Sequence, residues 1–180
     1  LGMHACPCVD VNIEDAKAEP LAGAKPGRTA VEDLYAELIL ASGAISSGIM
    51  KGAYETALSY ARQRRQGGKE IVRWSEVAKM LADMLVDVHA AELCVHHACR
   101  VLEEAPDDAA SREHARAAGI HVHAMACRLV ADGIQVLGGY GYMKDYGQEK
   151  RYRDAHQAAC LAGSGPMAEL DMLRRAAGIS

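Results

Sequence analysis

A chain of 180 residues, half of them apolar, is long enough to form one domain with a real core. Its formal charge of -4 is mild and mixed along the chain, which excludes bulk electrostatic attraction to nucleic acid or to an anionic membrane. No apolar run approaches the length of a bilayer span, and the first ten residues lack a basic segment followed by a hydrophobic stretch, so the expected setting is the cytoplasm.

The chain begins at Leu1 rather than Met, which suggests that something was removed ahead of it and that the chain is a piece. Residues 8–14 alternate apolar and polar as a half-buried strand does, with no partner strand in sight. Pro20, Gly23, Pro26 and Gly27 mark a linker, and Thr29 with Glu32 has the spacing of a capping box. From Val31 through Leu34, Leu38, Ala41, Ile45, Ile49, Ala53, Ala57 and Tyr60 the apolar positions recur at helical spacing until Gln66-Gly67-Gly68. A helix of that length needs equally long partners.

Ser75 starts a second helix, whose stripe runs from Val77 to Leu102 before Pro106 interrupts it. Asp107 and Asp108 suit the next N-terminus, and a third helix ends at Gly138-Gly139. After a loop rich in glycine and tyrosine, Gln148 to Ala159 reads as a short fourth helix. Gly163-Ser164-Gly165-Pro166 breaks it, and Met167, Leu170, Leu173 and Ala177 mark a terminal one. With no Phe and a single Trp74, the core is built from aliphatic side chains and alanine, which favours close-packed helices. The expected fold is all-α, an up-down four-helix bundle over residues 29–180 preceded by a short strand-like segment.

Three segments exceed generic bundle patterning. Tyr60-Ala61-Arg62-Gln63-Arg64-Arg65-Gln66-Gly67-Gly68-Lys69 resembles the Tyr-Ala-x-x-Arg-x-x-Phe-Gly-Lys signature of acyl-CoA dehydrogenases, with Leu81-Ala82-Asp83-Met84 at the usual distance behind it. Ile134 to Tyr142 is similar to the family's Gln-x-x-Gly-Gly-x-Gly loop, and Glu149 to Ala155 to its Glu-x-x-x-Arg-Asp-Ala helix. The resemblance covers Thr29 to the C-terminus and identifies the bundle with the family's C-terminal domain. It implies that residues 1–28 are the remnant of a preceding β-domain and its linker, and that the domains holding the flavin ring lie outside this chain.

The resemblance further implies FAD as cofactor, an acyl-CoA thioester as substrate in fatty acid metabolism, and a dimer or tetramer, of like or unlike chains, formed through the bundle. By family position Arg64, Gln135, Gly138 and Gly139 contact the adenosine diphosphate half of FAD, commonly that of a neighbouring subunit, and Ser164 matches a Thr that hydrogen-bonds flavin. The chemistry is sensible. Arginine offers a planar fork to a pyrophosphate, paired glycines let backbone approach it, and a Gln amide both donates and accepts. Read without the family, Arg64 is equally a solvated helix end and Gly138-Gly139 an ordinary helix C-cap.

Two departures bear on activity. The family's Phe is Gly67 here, which removes an apolar wall beside the cofactor. The usual base, the Glu of Glu-Gly-Thr, falls on Ala162, which accepts no proton. Some members take the base from the first long helix; that position is Leu38, which leaves the adjacent Glu37 as the only local substitute, pointing about 100° away. Turnover by this chain alone is therefore not expected, and a non-catalytic assembly module derived from the bundle is the alternative.

The six cysteines are read as reduced. Cys94, His96, His97 and Cys99 on one helix and His121, His123 and Cys127 on the next have ligand types suited to zinc or iron. The Glu-x-x-His pairs of di-iron bundles are absent, and no metal site is expected. Tyr140, Tyr142, Tyr146 and Tyr152 crowd one loop region, suited to an acyl or adenine pocket or to a subunit interface.

Overall fold

In a computed structural model, the chain is described over residues 2–4, 6, 9–19, 28–161 and 165–179. Three long helices dominate: α1 (Arg28–Gln63), α2 (Ser75–Glu104) and α3 (Ala109–Leu137). Two shorter ones follow, α4 (Gln148–Ala158) and α5 (Gly165–Ala177). The all-α bundle expected from the periodicity is what forms. The capping role expected of Thr29, which α1 already includes, falls on a side chain outside those described.

Each boundary has a local cause. Asp108 caps α3 by accepting the Ser111 backbone N–H at 3.0 Å. The same helix ends where Gly138 takes φ 58° and ψ -134°, a combination only glycine adopts readily. Between α1 and α2 the chain turns through a two-residue hairpin, β1 (Arg65–Gln66) against β2 (Lys69–Glu70). Gly67 and Gly68 at its tip have φ of 62° and 86°, the positive values that a tight hairpin turn demands.

Helices α1 and α3 run parallel, with α2 antiparallel beside them. The Glu32 carbonyl meets Arg116, and Ser42 and Ser46 meet His123, so positions rise together on α1 and α3, whereas Lys51 on α1 pairs with Glu92 on α2. The α1–α3 seam is close because it is made of small residues: a Cβ on Gly119 would lie 2.4 Å from the Ile39 carbonyl oxygen. The main core gathers Met50, Ala53, Ala57, Ala61, Leu81, Met84, Val88, Val122, Leu129 and Val130. α4 is fastened across the top by Gln148, fully buried, whose amide donates to the Ala53 carbonyl at 2.9 Å over the bare backbone of Gly133.

Val9–Glu19 adopt neither helix nor strand and lie exposed, so the alternation over residues 8–14 is not realised as a strand here; Cys8 lies outside the described residues. A strand needs a neighbour to satisfy its backbone. The segment ahead of it is held instead by α4, where the Met3 N–H donates to Asp154 at 2.7 Å and Gly2 packs on the Arg153 carbonyl.

Candidate functional site

Because α1 and α3 are parallel, their C-terminal ends emerge side by side. That end of the bundle holds the hairpin after α1 and the glycine loop after α3. The Arg64 N–H closes the last turn of α1 on Tyr60, and its carbonyl accepts from Ile71 at 2.8 Å, which locks the hairpin to the helix. Opposite, Gln135 sits in the last turn of α3 and Gly138-Gly139 begin the loop. Arg64, Gln135, Gly138 and Gly139 thus line one open cavity of about 410 Å³, although 71 positions separate Arg64 from Gln135. A Cβ placed on either glycine would meet nothing within 4 Å, so the backbone there borders open space. Arg64 is exposed and has no carboxylate partner among the described residues.

A second recess of about 500 Å³ adjoins the first and shares Tyr60, Arg64 and Tyr140 with it. Its wall is a cluster of three rings, Tyr60, Tyr140 and Tyr146, with centroids 5.5–6.1 Å apart. The Arg64 guanidinium lies 5.7 Å from the Tyr140 ring centroid, a cation–π distance that orients its fork. Burial pushes the Tyr60 phenol above its ordinary value, against the pull of Arg64. The tyrosine-rich loop was visible in the sequence, but only the meeting of α1 with α3 selects Tyr140 and Tyr146 and adds Tyr60.

The space beside Gly67 is taken by an indole that lines neither cavity. Trp74, at the end of the connection, packs so that a Cβ on Gly67 would sit 2.8 Å from the indole Cζ2. The indole N–H donates to the Gln66 carbonyl at 3.1 Å, and Lys69 Nζ lies 3.9 Å from the ring centroid. Nothing in the local pattern signalled this, because the contact runs through a turn.

Glu37 is placed elsewhere. It lines a groove of about 400 Å³ between α1 and α2 with Leu40, Cys99, Leu102 and Glu103, about 40 Å along α1 from Arg64 at the standard helical rise. Ala162 and Ser164 lie outside the described residues. The arginine-aspartate helix is internally paired: Arg153 bonds Glu149 at 2.8 Å, and Lys150 bonds Asp154.

Both ring nitrogens of His123 are taken by serines, which leaves no lone pair for a metal. Among the described residues no three His, Cys, Asp or Glu side chains converge as a metal-binding group.

The sequence profile of the acyl-CoA dehydrogenase C-terminal domain matches residues 35–177. The chain is 30% identical over 175 residues to the caffeyl-CoA reductase-Etf complex subunit CarC of Acetobacterium woodii, covering 94% of this chain and 45% of that one. It is 32% identical over 177 residues to a 3-(aryl)acrylate reductase of Clostridium sporogenes, with the same coverage of 94% and 45%. Among solved structures, butyryl-CoA dehydrogenase of Megasphaera elsdenii superposes with a TM-score of 0.74 at 24% identity, over 80% of this chain and 37% of that one. The chain therefore spans just under half the length of the curated relatives it matches.

Proposed function

This chain belongs to the acyl-CoA dehydrogenase family as its C-terminal domain, and from that premise we propose that it supplies the adenosine-diphosphate share of an FAD site and the oligomer interface of a flavoprotein acting on an acyl-CoA thioester. The observation that carries the reading is the convergence of Arg64, Gln135, Gly138 and Gly139 on one cavity. An exposed guanidinium without a carboxylate partner, facing two glycines bordered by open space, fits a doubly charged pyrophosphate. Arg64 would hold the phosphates in its fork, the Gly138 and Gly139 backbone would approach them, and Gln135 would fix their orientation. Ser164 is assigned to the flavin by family position alone. When bound, FAD supplies the hydride acceptor for α,β-dehydrogenation.

Proton abstraction is the share this chain does not supply in the usual way, since Ala162 offers no basic atom. Glu37 is the one local substitute, and its place in the α1–α2 groove puts it at the opposite end of the bundle from Arg64. Substrate turnover thus depends on a base from another domain or chain. The relative that forms part of an Etf complex supports assembly with unlike chains, and the exposed apolar residues of α1, Val31, Leu34, Leu38 and Ile45, support assembly through the bundle. The alternative is a non-catalytic assembly module, favoured by the same Ala162.

Titration of the purified chain with FAD, read by flavin fluorescence, tests the first reading. Arg64→Ala should weaken binding by about 10-fold or more, the size of a charge-assisted hydrogen bond. Equal affinity in the two proteins would remove the pyrophosphate assignment. Acyl-CoA dehydrogenation with added FAD and an artificial electron acceptor should be undetectable; turnover abolished by Glu37→Gln would instead make Glu37 the base.

A further inference from the structure

Midway along the α1–α3 seam lies a polar group that the proposed cofactor site does not use. His123 of α3 is buried, and its ring bridges two serines of α1: Nε2 lies 2.9 Å from the Ser42 hydroxyl and Nδ1 2.8 Å from that of Ser46. Both serines are buried as well. One tautomer accounts for all of these contacts. Ser42 commits its hydroxyl proton to the Ile39 carbonyl at 2.9 Å, so toward the ring it accepts, and Nε2 carries the hydrogen. Nδ1 is then the acceptor, and Ser46 donates to it. Neutral histidine satisfies every one of these contacts.

An imidazolium has two donors and no acceptor. Ser46 would have to reverse, and even then the serines offer no negative charge to a cation enclosed in the seam. The neighbouring ionisable groups on its own helix, His121, Cys127 and Arg128, do not compensate, and among the described residues no charged side chain of α1, α2, α4 or α5 acts on the ring. Burial alone sets its ionisation and holds it below the ordinary imidazole range.

We propose that His123 is an acid-sensitive lock on the α1–α3 seam, tying the two helices in register while neutral and loosening them when it takes up a proton. The bridge sits where the seam is tight: one turn away Gly43 and Gly119 bring α1 and α3 to bare-backbone contact and supply no side chains of their own. The sign follows from linkage. The unfolded chain protonates its histidine near pH ~6.5, whereas the folded chain resists until lower pH, so the contribution is complete above ~6.5 and is lost as pH falls through the folded value.

Thermal unfolding of the wild type and His123→Gln, compared from about pH 8 to about pH 5, tests the lock. The glutamine amide reproduces one donor and one acceptor and takes up no proton. The melting temperature of the wild type should fall more steeply below about pH 6.5 than that of the variant; parallel profiles would overturn the proposal. An NMR titration of the His123 ring in the wild type needs no variant. Its midpoint should lie below about 6.5, and a midpoint at or above that value would overturn the proposal equally.

Discussion

At the scale of single residues, Gly67 stands where the family signature has phenylalanine, and its neighbour Trp74 already fills the space a larger side chain would enter. Restoring the family residue should therefore fail to restore a wall. Gly67→Phe forces a side chain onto a backbone at φ 62° and against the indole, and should cost about 1–3 kcal/mol of stability in urea unfolding. Unchanged stability would mean that Trp74 swings away freely. Arg64, Gln135, Gly138 and Gly139 were legible as a set because the family motif names them. The tyrosine recess was legible only as a crowd, since which rings meet depends on where two helix ends arrive. Trp74 was silent, because its partner lies across a turn rather than along a helical stripe.

At the scale of elements, α1, α2 and α3 were readable from 3.6-residue periodicity and from the Asp108 and Gly138 boundaries, whereas the hairpin was read only as a stop. Two positive-φ glycines permit both outcomes; in the hairpin that forms, Arg65 pairs with Glu70 at 2.6 Å across the strands, an exposed contact that adds little by itself. The closeness of α1 to α3 makes a sharp prediction. Gly119→Ala should cost about 1–3 kcal/mol in thermal or urea unfolding, despite alanine's better helix propensity, because its Cβ would press on the Ile39 carbonyl. A stabilised variant would show that the seam yields.

The attachment of residues 2–4 to α4 predicts a pH effect. Burial raises the Asp154 carboxyl, but the Lys150 ammonium and the Met3 N–H outweigh it and hold the group below its ordinary value. Its stabilising share is thus present above about pH 4 and lost as pH falls through the lower folded value. Asp154→Asn should cost about 1 kcal/mol at neutral pH, with the difference from wild type shrinking in acid, and the Met3 amide should exchange faster with deuterium. An unchanged Met3 exchange rate would show that this tie does not hold the segment.

At the scale of the whole molecule, several large apolar side chains stand exposed among the described residues. Val31 is 67% exposed and Leu34 56%, on the first half of α1, and Leu170 and Leu173 of α5 are exposed too. Exposed apolar residues of this kind support the proposed assembly through the bundle. Leu34→Glu should shift the sedimenting species toward the monomer without lowering helix content by circular dichroism; an unchanged mass would move the interface to another face.

Titration of isotopically labelled protein with ADP, followed by NMR, probes the pyrophosphate cradle proposed at the paired ends of α1 and α3, because weak binding remains visible. The Gly138 and Gly139 backbone amides and the Arg64 and Gln135 side chains should shift together, and Arg64→Ala should suppress the response. Shifts confined to other surfaces, or a full response in Arg64→Ala, would contradict it.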